Sequence, residues 1–141
     1  MNLAAIENDR RERQRGGVLP DRGEKTEAAR RLRGVDADWR LPDLWRHEFL
    51  NILATWSRQG GAPLADAQER WRRAVRWIGP CEVPVNMTAA LALAHEHGIS
   101  PYDAQYLALA QQLQTVCATE DGRLRRLFPD LTRTLTEICA A

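Results

Sequence analysis

Lysine is almost missing from this chain: Lys25 is the single one among 20 basic residues, and the 19 acidic residues leave a formal charge of +1. The preference for Arg carries no functional weight, but the near-neutral balance excludes a global field that would draw in nucleic acid or a membrane. Any site for a polyanion must therefore be local. Cysteine is scarce as well. Cys81, Cys117 and Cys139 form an odd set, 36 and 22 residues apart, which suits neither a disulfide framework nor a CxxC metal knuckle. They read as small apolar residues of a reducing compartment. No apolar run approaches the roughly 18 residues of a membrane helix, and residues 1–25 lack the apolar stretch of a secretory signal, so the expected location is cytoplasmic. The P-loop, GxGxxG, GxSxG, HExxH and Cys/His zinc spacings are all absent, and the enzyme classes built on them recede with them.

What is present is ordinary globular material: 141 residues, 44% of them hydrophobic and 28% charged, enough for one domain with a real core. Residues 1–17 stand apart, Arg-rich and with too few apolar side chains to bury much surface, so they read as an atypical segment of disorder-like composition ahead of a domain over 18–141. TEAARRLRG has the spacing of a short helix. DADWRLP reads as a short strand broken at Pro42, and CEVPV as another with Pro84 at an edge. Between them, Leu44–Arg58 places Trp45, Phe49, Ile52, Leu53 and Trp56 on one helical face, and a second helix is expected over Leu64–Ile78. Met87–His97 fits a helix closed by Gly98. Ser100 then caps a helix with Pro101 in its first turn, Asp103 at its third position, and Tyr106, Leu109, Ala110 and Leu113 on one face. TVCAT is the best central strand, followed by a short helix over about Gly122–Phe128 and a weak strand in RTLTEI. Alternating strands and helices imply an α/β sandwich with parallel crossovers.

The residues that could carry chemistry are acids. Glu48 lies about 80° from the centre of its helix's apolar stripe, on the flank rather than the solvent pole. A carboxylate at a core margin is costly unless it is paired or bound to something. Asp103 repeats this placement beside Tyr106, and Asp121 follows the TVCAT strand, at the carboxyl end where open α/β sheets place their ligand crevices.

LPDLWRHEFLNIL, SPYDAQYLALAQQL and VCATEDGRLRRLFP, in that order and at these separations, resemble the PIN-domain ribonucleases, and among them the VapC toxins of bacterial toxin–antitoxin pairs. The resemblance covers about residues 19–138. It implies a three-layer α/β/α sandwich with a short, mainly parallel central sheet. It also implies a pocket where Glu48, Asp103 and Asp121 act as metal ligands and Thr119 supports them. Carboxylates held close together repel one another unless a divalent cation neutralises them, and Mg²⁺ or Mn²⁺ is the natural hard partner for oxygen donors. The chemistry implied is cleavage of RNA phosphodiester bonds by a metal-activated water. A VapB-like antitoxin and a homodimer are implied in the same way.

One stretch departs from the pattern. Where the family has an apolar first strand carrying an Asp, this chain has IENDRRERQRGGVLP, in which Asp9 lies 11 residues before Pro20. That separation makes Asp9 a weak fourth metal candidate, but the Arg-rich residues after it cannot form a buried central strand. The alternative reading is therefore a PIN-like protein that has lost catalysis and only binds a partner, or a degenerate relic that lacks the first-strand Asp. Other groups have plainer readings. Asp103 suits a capping box with Ser100, Asp121 suits a first helical turn, and Glu48 could pair with Arg46 or Arg58. The arginines at 70, 72, 73 and 76 and at 123, 125 and 126 suit solvated faces better than RNA contacts, and His47, His95 and His97 suit the surface.

Overall fold

The computed structural model describes residues 38–140. The atypical segment 1–17, the expected helix of TEAARRLRG and Asp9 lie outside the described residues. The first long helix, α1 (Trp45–Gln59), packs on α2 (Leu64–Ile78), from which Gly60, Gly61 and Pro63 separate it. Gly61 takes a positive φ of 66°, a conformation open to glycine at no steric cost. The two helices meet through three rings: Trp71 of α2 stacks on Trp45 at 6.0 Å and on Phe49 at 6.4 Å. Trp45 is fully buried, and its indole N–H donates to Glu82 Oε1 at 2.6 Å, so burial of the ring leaves no orphaned donor. Glu82 also accepts from Arg46 Nε at 2.6 Å, which balances the charge brought to that site.

After a short 3₁₀ turn at Gly79–Cys81 the chain enters α3 (Met87–His97) and α4 (Pro101–Gln112), which pack on each other. Asn86 caps α3 by accepting from Ala89 N at 3.0 Å, and Gly98 ends it in the left-handed conformation at φ 59°. Ser100 caps α4, and Pro101 opens it. Strand β1 (Cys117–Ala118), helix α5 (Gly122–Leu127) and strand β2 (Thr132–Arg133) form a parallel crossover unit, with Cys117 opposite Thr132 and Ala118 opposite Arg133. Helix α6 (Leu135–Ala140) closes the described chain. The core gathers Leu41, Leu44 and Trp45 with Leu93, Ile99, Leu107, Cys117 and Leu124, so the two helical pairs and the sheet share it.

Three strand expectations are corrected. DADWRLP and CEVPV contribute one parallel bridge, Leu41 to Glu82, in place of two strands. Pro42 and Pro84 each remove a ladder donor, and Pro80 tightens the approach into a 3₁₀ turn. RTLTEI is a strand only at its first residue: its remainder is α6, started by a capping box in which Thr134 N donates to Glu137 Oε2 at 2.7 Å and Glu137 N donates to Thr134 Oγ1 at 3.1 Å. TVCAT is a strand, though only at its centre. Leu113 is the C-cap of α4 and 36% exposed, outside the core face expected for it. Arg46 pairs with Glu82, and Glu48 takes a different partner.

Candidate active site

Glu48 sits in the first turn of α1, half-buried, on the flank of the stripe that carries Trp45 and Phe49 into the core. That flank faces α4. Tyr106, only 5% exposed, donates its hydroxyl to Glu48 Oε2 at 2.5 Å, a bond that joins helices 58 residues apart in the chain. Tyr106 lies three residues beyond Asp103, on the same side of α4.

Asp103 is half-buried at the third position of its helix. Its backbone N–H donates to Ser100 Oγ at 3.0 Å, and the Ser100 hydroxyl donates to Asp103 Oδ2 at 2.8 Å. The cap thus orients the carboxylate as well as the helix. Asp121 arrives from β1. Thr119 is 2% exposed and anchored by its N–H to Arg133 O at 2.9 Å, and its hydroxyl oxygen accepts from Asp121 N at 3.1 Å. Asp121 in turn caps α5, with Oδ1 accepting from Arg123 N at 2.7 Å and Leu124 N at 3.0 Å. Arg123 reaches back to Gly98 O at 2.9 Å and ties α5 to the turn between α3 and α4.

Electrostatics link these positions. Burial first, then the hydrogen bond to Glu48 and the charges of Glu48 and Asp103, hold the Tyr106 hydroxyl well above its ordinary value. It stays protonated and acts as a donor. The Cys117 thiol is pushed up to about 11, chiefly by burial and then by the charge of Asp103. Tyr106 thus ties Glu48 to the helix that carries Asp103.

The donor set suits a hard divalent cation, since the acids offer only carboxylate oxygens and no imidazole joins them. Mg²⁺ is commonly held by one or two carboxylates plus water and substrate phosphate. Among the described residues, however, no three His, Cys, Asp or Glu side chains form a group that could hold a metal ion. The structure bonds Glu48 to Tyr106, on the helix that carries Asp103, and none of Glu48, Asp103 and Asp121 belongs to such a group. Asp9 lies outside the described residues.

Sequence reading placed Tyr106 in the core and missed what its hydroxyl does. The available signal was a polar-tipped ring three residues after a flank carboxylate, a spacing that puts both on one face. Of the arginines, Arg72 pairs with Glu69, Arg125 pairs with Glu137 at 2.9 Å, and Arg70 lies over the Trp56 ring at 4.6 Å. Arg70, Arg73, Phe49, Ile52, Leu53 and Trp56 line an open cavity of about 480 Å³ between α1 and α2.

Two comparisons with known proteins bear on this arrangement. The family model of the PIN domain matches residues 18–128. Ribonuclease VapC3 of Pyrobaculum aerophilum is 32% identical over 114 residues, which span 77% of this chain and 85% of that protein.

Proposed function

This chain belongs to the PIN domain family, and from that membership we propose that it is a metal-dependent endoribonuclease, the toxin of a toxin–antitoxin pair. The observation that carries the reading is the hydrogen bond to Glu48 from Tyr106, on the helix that carries Asp103, with Asp121 at the carboxyl end of β1, on a chain similar to a protein named as a ribonuclease. Glu48, Asp103 and Asp121 would hold Mg²⁺ or Mn²⁺, which when bound offsets phosphate charge and makes a bound water a stronger nucleophile. The chain's own residues do the rest. Ser100 fixes one oxygen of Asp103, and the first N–H groups of α5 fix one oxygen of Asp121. Thr119 is a supporting residue that holds the turn placing Asp121. Without a cation these negative charges repel a phosphodiester, so substrate and metal are expected to bind together.

A VapB-like antitoxin, a homodimer and a cytoplasmic setting accompany the reading as further proposals. No helix of the described residues is long and apolar enough to cross a membrane. The absence of a three-acid group among the described residues favours, as a second reading, a PIN-domain protein that binds its partner without cutting RNA.

The test is cleavage of a mixed single-stranded RNA pool by the full chain with Mn²⁺, beside an EDTA control and Asp103→Asn. Cutting that needs the metal and disappears in the variant is expected. Equal activity in Asp103→Asn overturns the assignment of the site. A folded protein that cuts nothing but captures a VapB-like partner supports the second reading.

A further inference from the structure

Between α1 and α2 lies a feature that the acids do not explain. The open cavity there, of about 480 Å³, has one apolar wall, Phe49, Ile52, Leu53 and Trp56 of α1, and one cationic wall, Arg70 and Arg73 of α2. Its volume falls in the range of small-molecule sites. Leu53 is buried, the other three α1 residues are half-buried, and both arginines are exposed. Among the described residues Arg70 and Arg73 form no ion pair, although Arg46 and Arg72 do. Arg70 instead lays its guanidinium over the Trp56 ring at 4.6 Å, so its charge stays uncompensated while a planar cation and a planar ring are presented together.

We infer that this cavity is a nucleotide subsite for single-stranded RNA, in which a base stacks on the Trp56–Arg70 pair and the adjoining phosphate is met by Arg73. The two walls select the ligand. A purely apolar group would desolvate two guanidinium groups without giving them a partner, and a simple anion would leave the apolar wall wet. A nucleotide carries a flat π face and a phosphate in one unit. Proteins hold unpaired bases in this way, on aromatic rings and guanidinium planes. The local charge agrees, since α2 has four arginines against Asp66 and Glu69, in a chain whose formal charge is +1.

The inference takes its ligand from the nuclease reading and deepens it by naming where a strand is held beyond the acids. Trp56 follows Glu48 by eight residues on α1, which is about 12 Å along the helix axis. A strand lying at Glu48 therefore has a neighbouring nucleotide within reach of the cavity.

The experiment measures binding of a fluorescein-labelled single-stranded RNA of mixed sequence to the full chain by fluorescence anisotropy. It is run at low salt in EDTA, beside an abasic strand of the same length. The variants are Trp56→Leu, Trp56→Phe and Arg73→Gln, with circular dichroism and a thermal melt to check each fold. Arg73 is exposed, so its variant keeps the test open if Trp56→Leu does not fold. The expected result is a loss of about tenfold for RNA in Trp56→Leu, the scale of one stacked base, with little change for the abasic strand. Trp56→Phe keeps a ring and retains most of the affinity. Arg73→Gln weakens both strands alike and lowers the slope of log affinity against log salt by about 0.7, the share of one phosphate contact in a single strand. In Mn²⁺-dependent cleavage both losses appear in KM, with the rate at saturating RNA unchanged.

Wild-type RNA affinity in Trp56→Leu and Arg73→Gln, an abasic strand as sensitive to Trp56→Leu as RNA is, or a wild type that binds no RNA overturns the inference. Loss of a VapB-like partner in these variants with RNA binding intact also overturns it, and gives the cavity to a protein segment. A chain that binds RNA through this cavity and cuts none keeps the inference and overturns the nuclease reading, whereas cutting with wild-type KM in both variants does the reverse.

Discussion

Helices α2 and α4 look alike in outline, each opening beside a proline and running for 15 and 12 residues, yet they are held in opposite ways. α2 has one buried residue, Ala67, and touches the rest of the molecule along a single stripe where Trp71 meets Trp45 and Phe49. α4 buries Ala104, Tyr106, Leu107, Ala108, Leu109 and Ala110, which are spread around most of its circumference. A helix held by one stripe can slide or rotate at the cost of a few contacts. One enclosed on most sides cannot move without opening the core. The two residues that need a fixed direction, Asp103 and Tyr106, sit on the enclosed helix. Arg70, Arg72, Arg73 and Arg76, all exposed, sit on the other. The same division explains Glu48: α1 lies between the two environments, and the Tyr106 hydroxyl ties its acid to the rigid side.

This contrast can be tested by degrees. The largest effect is expected from Leu107→Ala, which empties a fully buried position on α4 and should lower stability by about 2–5 kcal/mol in urea denaturation. Gln68→Ala on the exposed side of α2 should stay within about 0.5 kcal/mol, and comparable losses in the two variants would dissolve the distinction. Trp71→Ala comes next. It breaks the three-ring contact that holds α2, and about 2 kcal/mol should be lost while RNA cleavage by the folded fraction is unchanged. Activity falling in step with a Trp71 variant would mean that α2 also positions the site.

Smaller again are the two helix caps, Ser100→Ala and Asn86→Ala, each expected to cost about 1 kcal/mol. They should differ in function. The Ser100 hydroxyl also orients the Asp103 carboxylate, so its removal should weaken Mn²⁺-dependent cleavage, whereas Asn86 caps α3 away from the acids. Identical cleavage in the two variants would remove Ser100 from the site. The smallest effect concerns pH. With its thiol raised from an ordinary value of 9.0 to about 11, Cys117 favours the protonated folded state. That contribution is complete below 9.0 and is lost as pH rises toward 11, so the wild type should lose melting temperature over this window more than Cys117→Ala does. Parallel melting curves for the two proteins would show that the thiol is not sheltered by α4.

The helices were legible wherever their signals were local. Asn86, Gly98 and the Ser100–Pro101–Asp103 start of α4 act within one turn of themselves, and each does in the structure what its position in the sequence suggests. Thr134 and Glu137 form the same kind of signature, yet the β-branched look of RTLTEI hid it, because a capping box four residues long competes poorly with an apparent strand composition. The strands of DADWRLP and CEVPV failed for a different reason. A strand is completed by its neighbour, and here the two prolines leave a single bridge between the segments. At the site, the flank positions of Glu48 and Asp103 followed from helical periodicity, and both acids are half-buried.

The sequence by itself determined the helix frames, their caps and which acids would stand at the edge of the core, since these depend on residues no more than four apart and on a fixed 100° turn per residue. The family pattern in three ordered motifs was also readable from it. Only the tertiary structure decided that Glu48 takes Tyr106 as its partner and that Glu82 serves Trp45 and Arg46 together. Those choices depend on how α1 and α4 approach each other across 58 residues of chain, and helix packing is a property of surfaces that no local spacing encodes.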